Sequence, residues 1–419
     1  MNRLMPWLST GLLALALAFV APAQAQAQQS PLRIGFGMSL TGPLAGNGKA
    51  ALISMQIWAE DVNARGGILG RKVELVYYDD QTNPSTVPSI YTKLLDVDKV
   101  DLIVSGYGTN VIAPAMPIVM QRNMAFMSLF GLNVNSKFSY GRYFQIMPAG
   151  PEPAIGWTQG FFDVAMGLSP KPQTIALVGA DAEYPALALE GAREQVKRTG
   201  LKVVYDKTYP PNTVDFSPIV RSIQATNPDV VFVASYPPDS AGIVRAANEV
   251  GLKARIFGGG MVGPQFAALK TQLGSLLNGI VNYEAYAPEV AAKFPFLDQF
   301  LDKYQARAGK EGVDPLGYYL PPYAYAMMQV LEQAIKATGG LDQAKLADYM
   351  HKTEFDTCVG KVRFASNGEW ATPRMLAVQY HGISGNDLEQ WKKPGRVTVL
   401  APAGYATGMV MAPYQDSRR

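Results

Sequence analysis

Cysteine and histidine are scarce in this sequence. Its 419 residues contain one cysteine, Cys358, and two histidines, His351 and His381. One cysteine cannot form an intrachain disulfide, so in an oxidising compartment stability must come from apolar cores, which the 48% hydrophobic composition can supply. Two histidines cannot build a histidine-rich zinc site, and neither lies near the nucleophile elbow of a serine hydrolase. We therefore expect all three to be packing or surface residues, with no catalytic residue, metal site or cofactor.

A strong excess of either charge is also missing, because 37 basic and 34 acidic residues are spread along the chain without a block of one sign. A nucleic-acid-binding protein usually carries a basic cluster, so we expect no nucleic-acid partner. Beyond residue 25 no apolar run reaches the ~20 residues that a spanning helix needs. The remaining length exceeds what one core usually organises, which favours two domains.

The first 25 residues have the layout of a signal peptide. Arg3 is followed by an apolar run over 8–21, and small residues then favour cleavage after Ala25 or Ala27. The alternative is an N-terminal membrane anchor, but the run is too short to span a bilayer; a lipoprotein would need a cysteine at the cleavage point. Loss of Arg3 leaves 36 basic and 34 acidic residues, a formal charge of +2. We expect an exported periplasmic protein that is not membrane-embedded.

Short β-rich runs alternate with helical stretches along most of the chain, which indicates parallel sheets covered by helices. The expected fold class is α/β, with two doubly wound halves in succession. Helices are expected over 294–308 and 321–337, a hairpin over 362–368, a last strand over 375–380, and an extended tail beyond Pro394. The other predicted strands are 32–37, 73–78, 102–104 and 125–127 in the first half, and 174–178, 201–205, 229–234 and 256–257 in the second.

Ligands of open α/β sheets bind outside the carboxyl ends of the strands. Three tyrosines, Tyr107, Tyr184 and Tyr236, fall in loops at such ends. One tyrosine there could equally be a packing residue, but three together favour an aromatic-walled pocket. The loops that this rule selects are 39–48, 105–112, 128–133, 179–185, 235–239 and 258–263.

Two motifs suggest a phosphate-binding loop and a metal site, but the spacing of their residues fits neither. The glycine-rich stretch 42–50 resembles a phosphate loop, but its spacing is one residue too long and Ala50 replaces the metal-binding hydroxyl. Asp79 and Asp80 could be half of a metal site, yet no calcium-loop spacing follows. Aspartates in turns commonly accept hydrogen bonds from nearby backbone, and we favour that structural role.

Five stretches, taken together and in order, make the chain resemble the type I periplasmic binding proteins of branched-chain amino-acid ABC transporters, the Leu/Ile/Val-binding group. They are IGFGMSLTGPLAGNG at 34–48, DVNARGGILG at 61–70, YYDDQTNP at 77–84, DFS at 215–217 and DTCVGKVRF at 356–364. The resemblance implies two lobes joined by three chain crossings, with the ligand between them. It places 32–148 and 283–357 in one lobe, and 149–282 and 358–419 in the other.

The resemblance also names ligand contacts. The hydroxyl that binds the ligand's carboxylate in the family falls on Thr109, and the family's other contact positions and the loop aromatics add Asn47, Tyr107, Ser128, Phe130, Leu132, Tyr184 and Tyr236. The chain departs from the family in two ways. The family's cysteine pair maps to Thr82 and Gly108, and the glutamate that holds the ligand's ammonium group maps to Gly260. Burying an ammonium group without a partner costs several kcal/mol.

We therefore expect a non-catalytic receptor that closes around a small organic carboxylate lacking an α-amino group, with an aromatic acid favoured, and delivers it to an inner-membrane ABC permease. We expect it to be a monomer. Three alternatives stay open. Glu183 or Asp239 could meet an ammonium group and restore an amino-acid receptor; the ligand could be an amide or urea; and, more remotely, the chain could be an α/β hydrolase.

Overall fold

The computed structural model describes Met1 and residues 30–418. All of the predicted signal peptide except Met1 lies outside these residues. Among the helices that are described, none combines the length and apolar character needed to cross a membrane.

Five parallel strands form the first sheet, in the spatial order β2-β1-β3-β4-β5. Apolar side chains alternate between its faces, as the two-residue period of a strand requires. Leu102 and Val104 join the larger core and Ile103 the smaller one on the other face. The elements are β1 (Leu32–Met38), α1 (Ala45–Ala64), β2 (Val73–Asp79), α2 (Val87–Asp96), β3 (Leu102–Tyr107), α3 (Thr109–Ile112), α4 (Met116–Gln121), β4 (Phe126–Leu129) and β5 (Tyr143–Gln145).

The second half of the chain repeats this alternation. Four of its five parallel strands are buried along almost their whole length, whereas most residues of the edge strand β7 are at least partly exposed. The elements are α5 (Pro153–Met166), β6 (Thr174–Ala180), α6 (Glu183–Thr199), β7 (Lys202–Tyr209), α7 (Ser217–Ala225), β8 (Val230–Ser235), α8 (Pro237–Val250), β9 (Ile256–Met261), α9 (Ala267–Leu273) and β10 (Val281–Glu284).

Three further helices return to the first sheet: α10 (Leu297–Glu311), α11 (Leu320–Thr338) and α12 (Gln343–Lys352). The α11 helix packs along α1, where Trp58 Nε1 donates to the buried Glu332 carboxylate at 3.1 Å. An antiparallel hairpin follows, made of β11 (Glu354–Thr357) and β12 (Gly360–Arg363). The stretch predicted to be a hairpin, 362–368, does turn back on itself, because Ala365 N–H donates to the Glu369 carbonyl at 2.7 Å and Phe364 forms an antiparallel bridge with Trp370. The β11–β12 hairpin just before it was not predicted.

The chain then completes the second sheet with two antiparallel strands, β13 (Leu376–Tyr380) and β14 (Val397–Ala401). The full order is β14-β13-β10-β9-β8-β6-β7. The strand predicted last along the chain is thus followed by another, and the tail that was expected only to be extended forms the sheet edge.

Two lobes result, each built on one large sheet, and the chain passes between the sheets over 146–152, 285–296 and 364–375. The α/β fold of two parallel-dominated lobes agrees with the prediction. The predicted lobe boundaries stay a proposal. One of them, at 282/283, falls inside β10, and another, at 357/358, falls in the β11–β12 turn.

Candidate functional site

The carboxyl ends of strands from both sheets meet at a small cavity between the lobes. Its volume is about 20 Å³, room for about one water molecule, so the two walls are closed on each other. The wall residues are Tyr107, Gly108, Thr109, Phe130, Leu132, Met147, Trp157, Tyr184, Tyr236, Val262 and Tyr319.

Most of the predicted site residues reach this cavity. Five of the six loops selected from the sequence contribute to its wall, and the loop over 39–48 does not. The structure brings together six of the nine named residues: Tyr107, Thr109, Phe130, Leu132, Tyr184 and Tyr236. Five of the loops selected by the rule for the carboxyl ends of strands thus meet at one cavity between the two sheets.

Thr109 begins α3 directly after β3, where Gly108 turns the chain with a φ of +105°. Its side chain is 2% exposed, and its Oγ1 accepts a hydrogen bond from Leu132 N–H at 3.0 Å. Within the described chain this hydroxyl donates no hydrogen bond. Thr109 therefore anchors the neighbouring loop and still has a proton to offer to a ligand.

Phe130 has a backbone conformation that is unusual for an aromatic residue, with φ of +59° in the left-handed region. Gln145 Oε1 accepts from its N–H at 3.1 Å, and the rings of Tyr319 and Tyr323 lie edge-on to it at 5.2 Å. Left-handed non-glycine residues persist where surrounding contacts hold them, and they concentrate at functional sites. The left-handed backbone of Phe130 is therefore held by contacts with residues that are distant in the sequence, not by its own loop alone.

Tyr184 and Trp157 form the fixed part of the opposite wall. The Tyr184 hydroxyl donates to the Gly260 carbonyl at 2.8 Å and accepts from Trp157 Nε1 at 3.3 Å. Burial raises the pKa of Tyr184, so the phenol stays neutral. Both hydrogen-bonding roles of this hydroxyl are thus used within the second lobe.

Tyr236 differs from Tyr184, because its buried hydroxyl has no hydrogen-bond partner among the described residues. The hydroxyls of Tyr107 and Tyr319 form a hydrogen bond of 3.3 Å. Burial raises the pKa of Tyr107 to about 12. These phenols are neutral at physiological pH. They supply hydroxyl donors and acceptors to the cavity without supplying charge.

Three predicted residues lie behind the wall. Asn47 is buried on α1 beside the Tyr107 hydroxyl and does not line the cavity. Ser128 Oγ accepts from Tyr143 and Gln145, at 3.0 and 3.2 Å, in a buried network beneath the loop. Gly260 contributes only its carbonyl to Tyr184. They support the wall residues rather than face the cavity.

The cavity wall carries no charged side chain among the residues described. The two acids that could have met an ammonium group are engaged elsewhere: Glu183 pairs with Lys137 at 3.3 Å, and Asp239 accepts from the Tyr209 hydroxyl at 2.5 Å. Burial raises the pKa of Asp239 to about 6. In this conformation neither acid reaches the position that Gly260 leaves without a carboxylate.

Five wall residues were not predicted: Gly108, Met147, Trp157, Val262 and Tyr319. Gly108 falls in the selected loop over 105–112. Val262 falls in a loop that the sequence selected, although it was not singled out. Trp157 lies within a helix, and Met147 and Tyr319 lie in irregular connections. No local pattern distinguishes these three from packing residues, because only the lobe arrangement brings them to the cavity.

Asp79 and Asp80, which the sequence offered as possible metal ligands, accept hydrogen bonds within the turn after β2 and from the β1–α1 loop. Asp79 accepts from the backbone of Leu40 and Gln81 at 2.9 and 2.8 Å, and the buried Asp80 accepts from Ser39 Oγ at 2.6 Å. These bonds tie the β1–α1 loop to the end of β2. They support the structural role that the sequence favoured.

Comparison with known proteins agrees with this architecture. The sequence profile of a family described as periplasmic binding protein matches residues 31–385. The chain belongs to this family. Within it the chain is a type I periplasmic binding protein of the branched-chain amino-acid group.

The relatives of this receptor are distant but cover most of its length. The Leu/Ile/Val-binding protein of Escherichia coli K12 is 24% identical over 336 residues, 79% of this chain and 86% of that protein. The structure of a leucine-binding protein from Thermotoga maritima superposes with a TM-score of 0.72 at 20% identity, covering 88% of this chain and 98% of that one.

A second solved structure shares the fold and carries an aromatic ligand. It is an ABC transporter solute-binding protein from Rhodopseudomonas palustris HaA2 in complex with p-hydroxybenzoic acid. Its TM-score is 0.73 at 20% identity, with 91% of this chain and 100% of that chain covered.

Family membership fixes the general function. Members are solute-binding receptors, not enzymes, that capture small ligands for ABC transporters, and the family is periplasmic. The hydrolase alternative has no support. The ligand of this particular receptor is a separate question, which depends on the cavity.

Proposed function

We propose that this receptor binds a small carboxylate without an α-amino group, with an aromatic acid favoured, for delivery to its ABC permease. The uncharged, aromatic wall of the cleft carries this proposal. Four tyrosines, a phenylalanine, a tryptophan and a threonine from both lobes line the cavity: Tyr107, Tyr184, Tyr236, Tyr319, Phe130, Trp157 and Thr109.

The absence of a nearby acid argues against an α-amino acid. An ammonium group in this cavity would be buried with no carboxylate among its wall residues, at a cost of several kcal/mol. A glutamate at position 260 would also be crowded, since a Cβ there lies 3.3 Å from the Phe232 ring and 3.4 Å from the Tyr184 hydroxyl. The second lobe is packed in a way that leaves little room for the family's acid.

A carboxylate can be held by neutral donors. Thr109 has a hydroxyl proton that it donates to no described group, and Tyr236 has a buried hydroxyl with no described partner. A hydrogen bond to a charged acceptor contributes about 1.5 to 3 kcal/mol. Aromatic rings around it would pack against a flat ligand in edge or stacked contacts. The complex of a similarly folded protein with p-hydroxybenzoic acid supports this ligand class.

Entry of such a ligand requires the lobes to separate. The cavity of about 20 Å³ is far smaller than an aromatic acid. The bound form must therefore be wider than this structure, with the two lobes slightly further apart around the ligand. Hinge motion between two lobes is the usual way in which such a site opens and closes.

Calorimetric titration of matched ligands tests the proposal. Phenylpropionate and phenylalanine differ only in the α-amino group, so their affinities isolate its contribution. We expect phenylpropionate to bind more tightly. Tighter binding of phenylalanine by tenfold, about 1.4 kcal/mol, would overturn the proposal and restore an amino-acid receptor.

Replacement of single hydroxyls tests the site itself. Tyr236→Phe removes a hydroxyl that has no partner among the described residues, so stability should be unchanged while affinity for the acid falls about tenfold. Tyr184→Phe is the matched control, because it breaks a bond to Gly260 and should lower stability as well. Unchanged affinity in Tyr236→Phe would remove this hydroxyl from the site.

A second candidate ligand is a small amide or urea. The small cavity and its lack of a cation favour it, since a neutral ligand needs no counter-charge and urea needs less space than an aromatic acid. A thermal-shift screen with amides, urea, aromatic acids and short organic acids distinguishes the two. A ligand at 100 times its dissociation constant adds about 2.7 kcal/mol of stability.

Export and assembly complete the proposal. We propose cleavage after Ala25 or Ala27 and a monomeric receptor in the periplasm. Intact-mass analysis of periplasmic extract should give a mature chain beginning near Gln26 or Gln28, and light scattering should give one chain per particle. Retention of Met1, or a stable dimer, would contradict the respective part.

A further inference from the structure

A second, larger groove lies at the hinge, away from the ligand cleft. Its volume is about 790 Å³. It is lined by residues from the crossing over 285–296, from the β11–β12 hairpin, from the crossing over 364–375 and from the segment after β14. None of its lining residues belongs to the cleft wall described above.

Two donor groups in this groove lack acceptors. Trp370 is 4% exposed, and its buried Nε1 has no hydrogen-bond partner among the described residues. The same holds for the buried Nε of Arg374. The indole N–H and the guanidinium N–H groups can only donate. Both N–H groups therefore lack an acceptor within the described chain, and both residues line the groove.

The position of the Arg374 guanidinium is fixed by aromatic rings. Its carbon lies 4.7 Å from the Trp370 ring centre and 5.3 Å from that of Phe294. Within the described chain no carboxylate lies within ion-pair distance of it, and its closest polar contact is a long one of 3.5 Å to the Tyr323 hydroxyl. A stacked guanidinium presents its remaining donors in a fixed plane, which suits the oxygens of an anion.

The charge around the groove is positive. Its two acids, Glu354 and Asp356, both pair with Lys361, at 3.5 and 2.7 Å. Lys293 and Arg363 also line the groove, and neither makes an ion pair in the part of the chain that the structure describes. Together with Arg374, three cations face the groove without a counter-ion.

We propose that this hinge groove binds a small oxyanion, whose oxygens accept hydrogen bonds from Trp370 Nε1 and the Arg374 guanidinium. Arg363 and Lys293 add favourable charge at the rim. Carboxylate, phosphate and sulfate groups share the required chemistry: negative charge and at least two acceptor oxygens. The anion would contact two of the three crossings between the lobes.

Titration of the full mature chain with inorganic phosphate tests the proposal, at constant ionic strength maintained with sodium chloride. We expect saturable binding that chloride does not reproduce. Trp370→Phe keeps the ring and removes only the N–H, so phosphate affinity should fall about tenfold; Arg374→Met should abolish binding. Arg122→Met is the control, because that arginine pairs with Asp96 elsewhere on the surface, and its phosphate affinity should be unchanged.

Lack of saturable phosphate binding by the wild type would overturn the proposal. So would wild-type affinity in Trp370→Phe and Arg363→Gln. We expect both variants to fold, because the first keeps a packed ring and the second changes an exposed side chain. Aromatic-acid affinity, measured in the same variants, separates the two sites. It should be unaffected by Trp370→Phe, so failure of the cleft proposal would leave the phosphate result intact.

Discussion

At the scale of single residues, the Thr109 hydroxyl combines an observed structural role with a proposed ligand contact. The resemblance to known receptors made it a ligand contact. The structure adds that Oγ1 accepts from the buried N–H of Leu132 and so holds the loop that carries Phe130. If Thr109 also contacts the ligand, as proposed, removal of its hydroxyl changes the structural bond and the ligand contact together.

Thr109→Ala should lower the free energy of unfolding by about 1 to 3 kcal/mol without ligand, because Leu132 N–H loses its acceptor in a buried place. Thr109→Ser should restore stability and carboxylate affinity together. Urea unfolding and calorimetry of both variants check this. An alanine variant as stable as wild type would show that Leu132 finds another acceptor.

Glu369 is a buried acid without a partner. It is 2% exposed, and neither carboxylate oxygen accepts a hydrogen bond from any described residue. Desolvation raises its pKa well above the usual glutamate value. It lines a groove of about 540 Å³ beside the first and third crossings, together with Glu152, Glu190 and Glu194.

This raised pKa predicts a pH dependence of stability. The unfolded chain releases the Glu369 proton at lower pH than the folded chain, so stability is full below the ordinary glutamate pKa and declines as pH rises toward the folded value. Glu369→Gln removes the titration. Its stability should exceed that of wild type increasingly from pH 5 to pH 8, by about 1 kcal/mol or more at the upper end.

Denaturant unfolding at several pH values measures the effect, and Glu190→Gln, on the exposed rim of the same groove, is the control. That variant should follow the wild-type pH profile. If Glu369→Gln followed it as well, Glu369 would have to be solvated or partnered in solution.

At the scale of elements, α1 explains part of the glycine-rich stretch that resembled a phosphate loop. A Cβ at Gly48 would lie 2.0 Å from the Ser39 carbonyl oxygen, whereas a Cβ at Gly46 would meet nothing within 4 Å. Gly48 therefore permits the close approach of α1 to the end of β1. This close packing of helix and strand needs no bound phosphate.

Gly48→Ala should destabilise the protein by about 1 to 3 kcal/mol or more, since backbone must move to admit the methyl group. Gly46→Ala should be neutral or stabilising by up to about 1 kcal/mol, because alanine favours a helix. Thermal unfolding compares the two. Equal effects would contradict this account of the glycine pair.

The elements that the sequence predicted correctly are those with a strong local signal. Eight predicted strands correspond to parallel strands, from β1 to β9 with β5 left out. β5, β10, β11 and β14 were missed. Short length alone does not explain this, since β4 and β13, with four and five residues, were predicted. Pairing with neighbouring strands decides the conformation of such short runs.

At the scale of the whole molecule, contacts across the cleft hold the lobes in a closed arrangement. Lys137 of the first lobe pairs with Glu183 of the second at 3.3 Å, and α3 contacts α6. The ion pair is partly exposed, with side chains 58% and 31% accessible, and such pairs contribute at most about 1 kcal/mol. Without ligand, the Lys137–Glu183 pair therefore stabilises the closed arrangement of the lobes only weakly.

Small-angle scattering tests this balance. We expect the radius of gyration of the free protein to exceed the value for the closed arrangement and to fall when saturating ligand binds, because one small solute must contact both walls. Confirmed binding with no change in the radius would mean that the free receptor is already closed, contrary to this prediction.

The sequence by itself determined the α/β class, the two lobes and the loops around the cleft. Alternating strands and helices are local patterns, and the carboxyl ends of parallel strands must meet at one edge of a sheet. Only the tertiary structure placed Trp157 and Tyr319 in the cavity wall and moved Ser128 behind it. Those placements depend on how the two lobes, each made of segments that are distant in the sequence, are oriented by the three crossings. The residues of one short segment cannot determine that orientation.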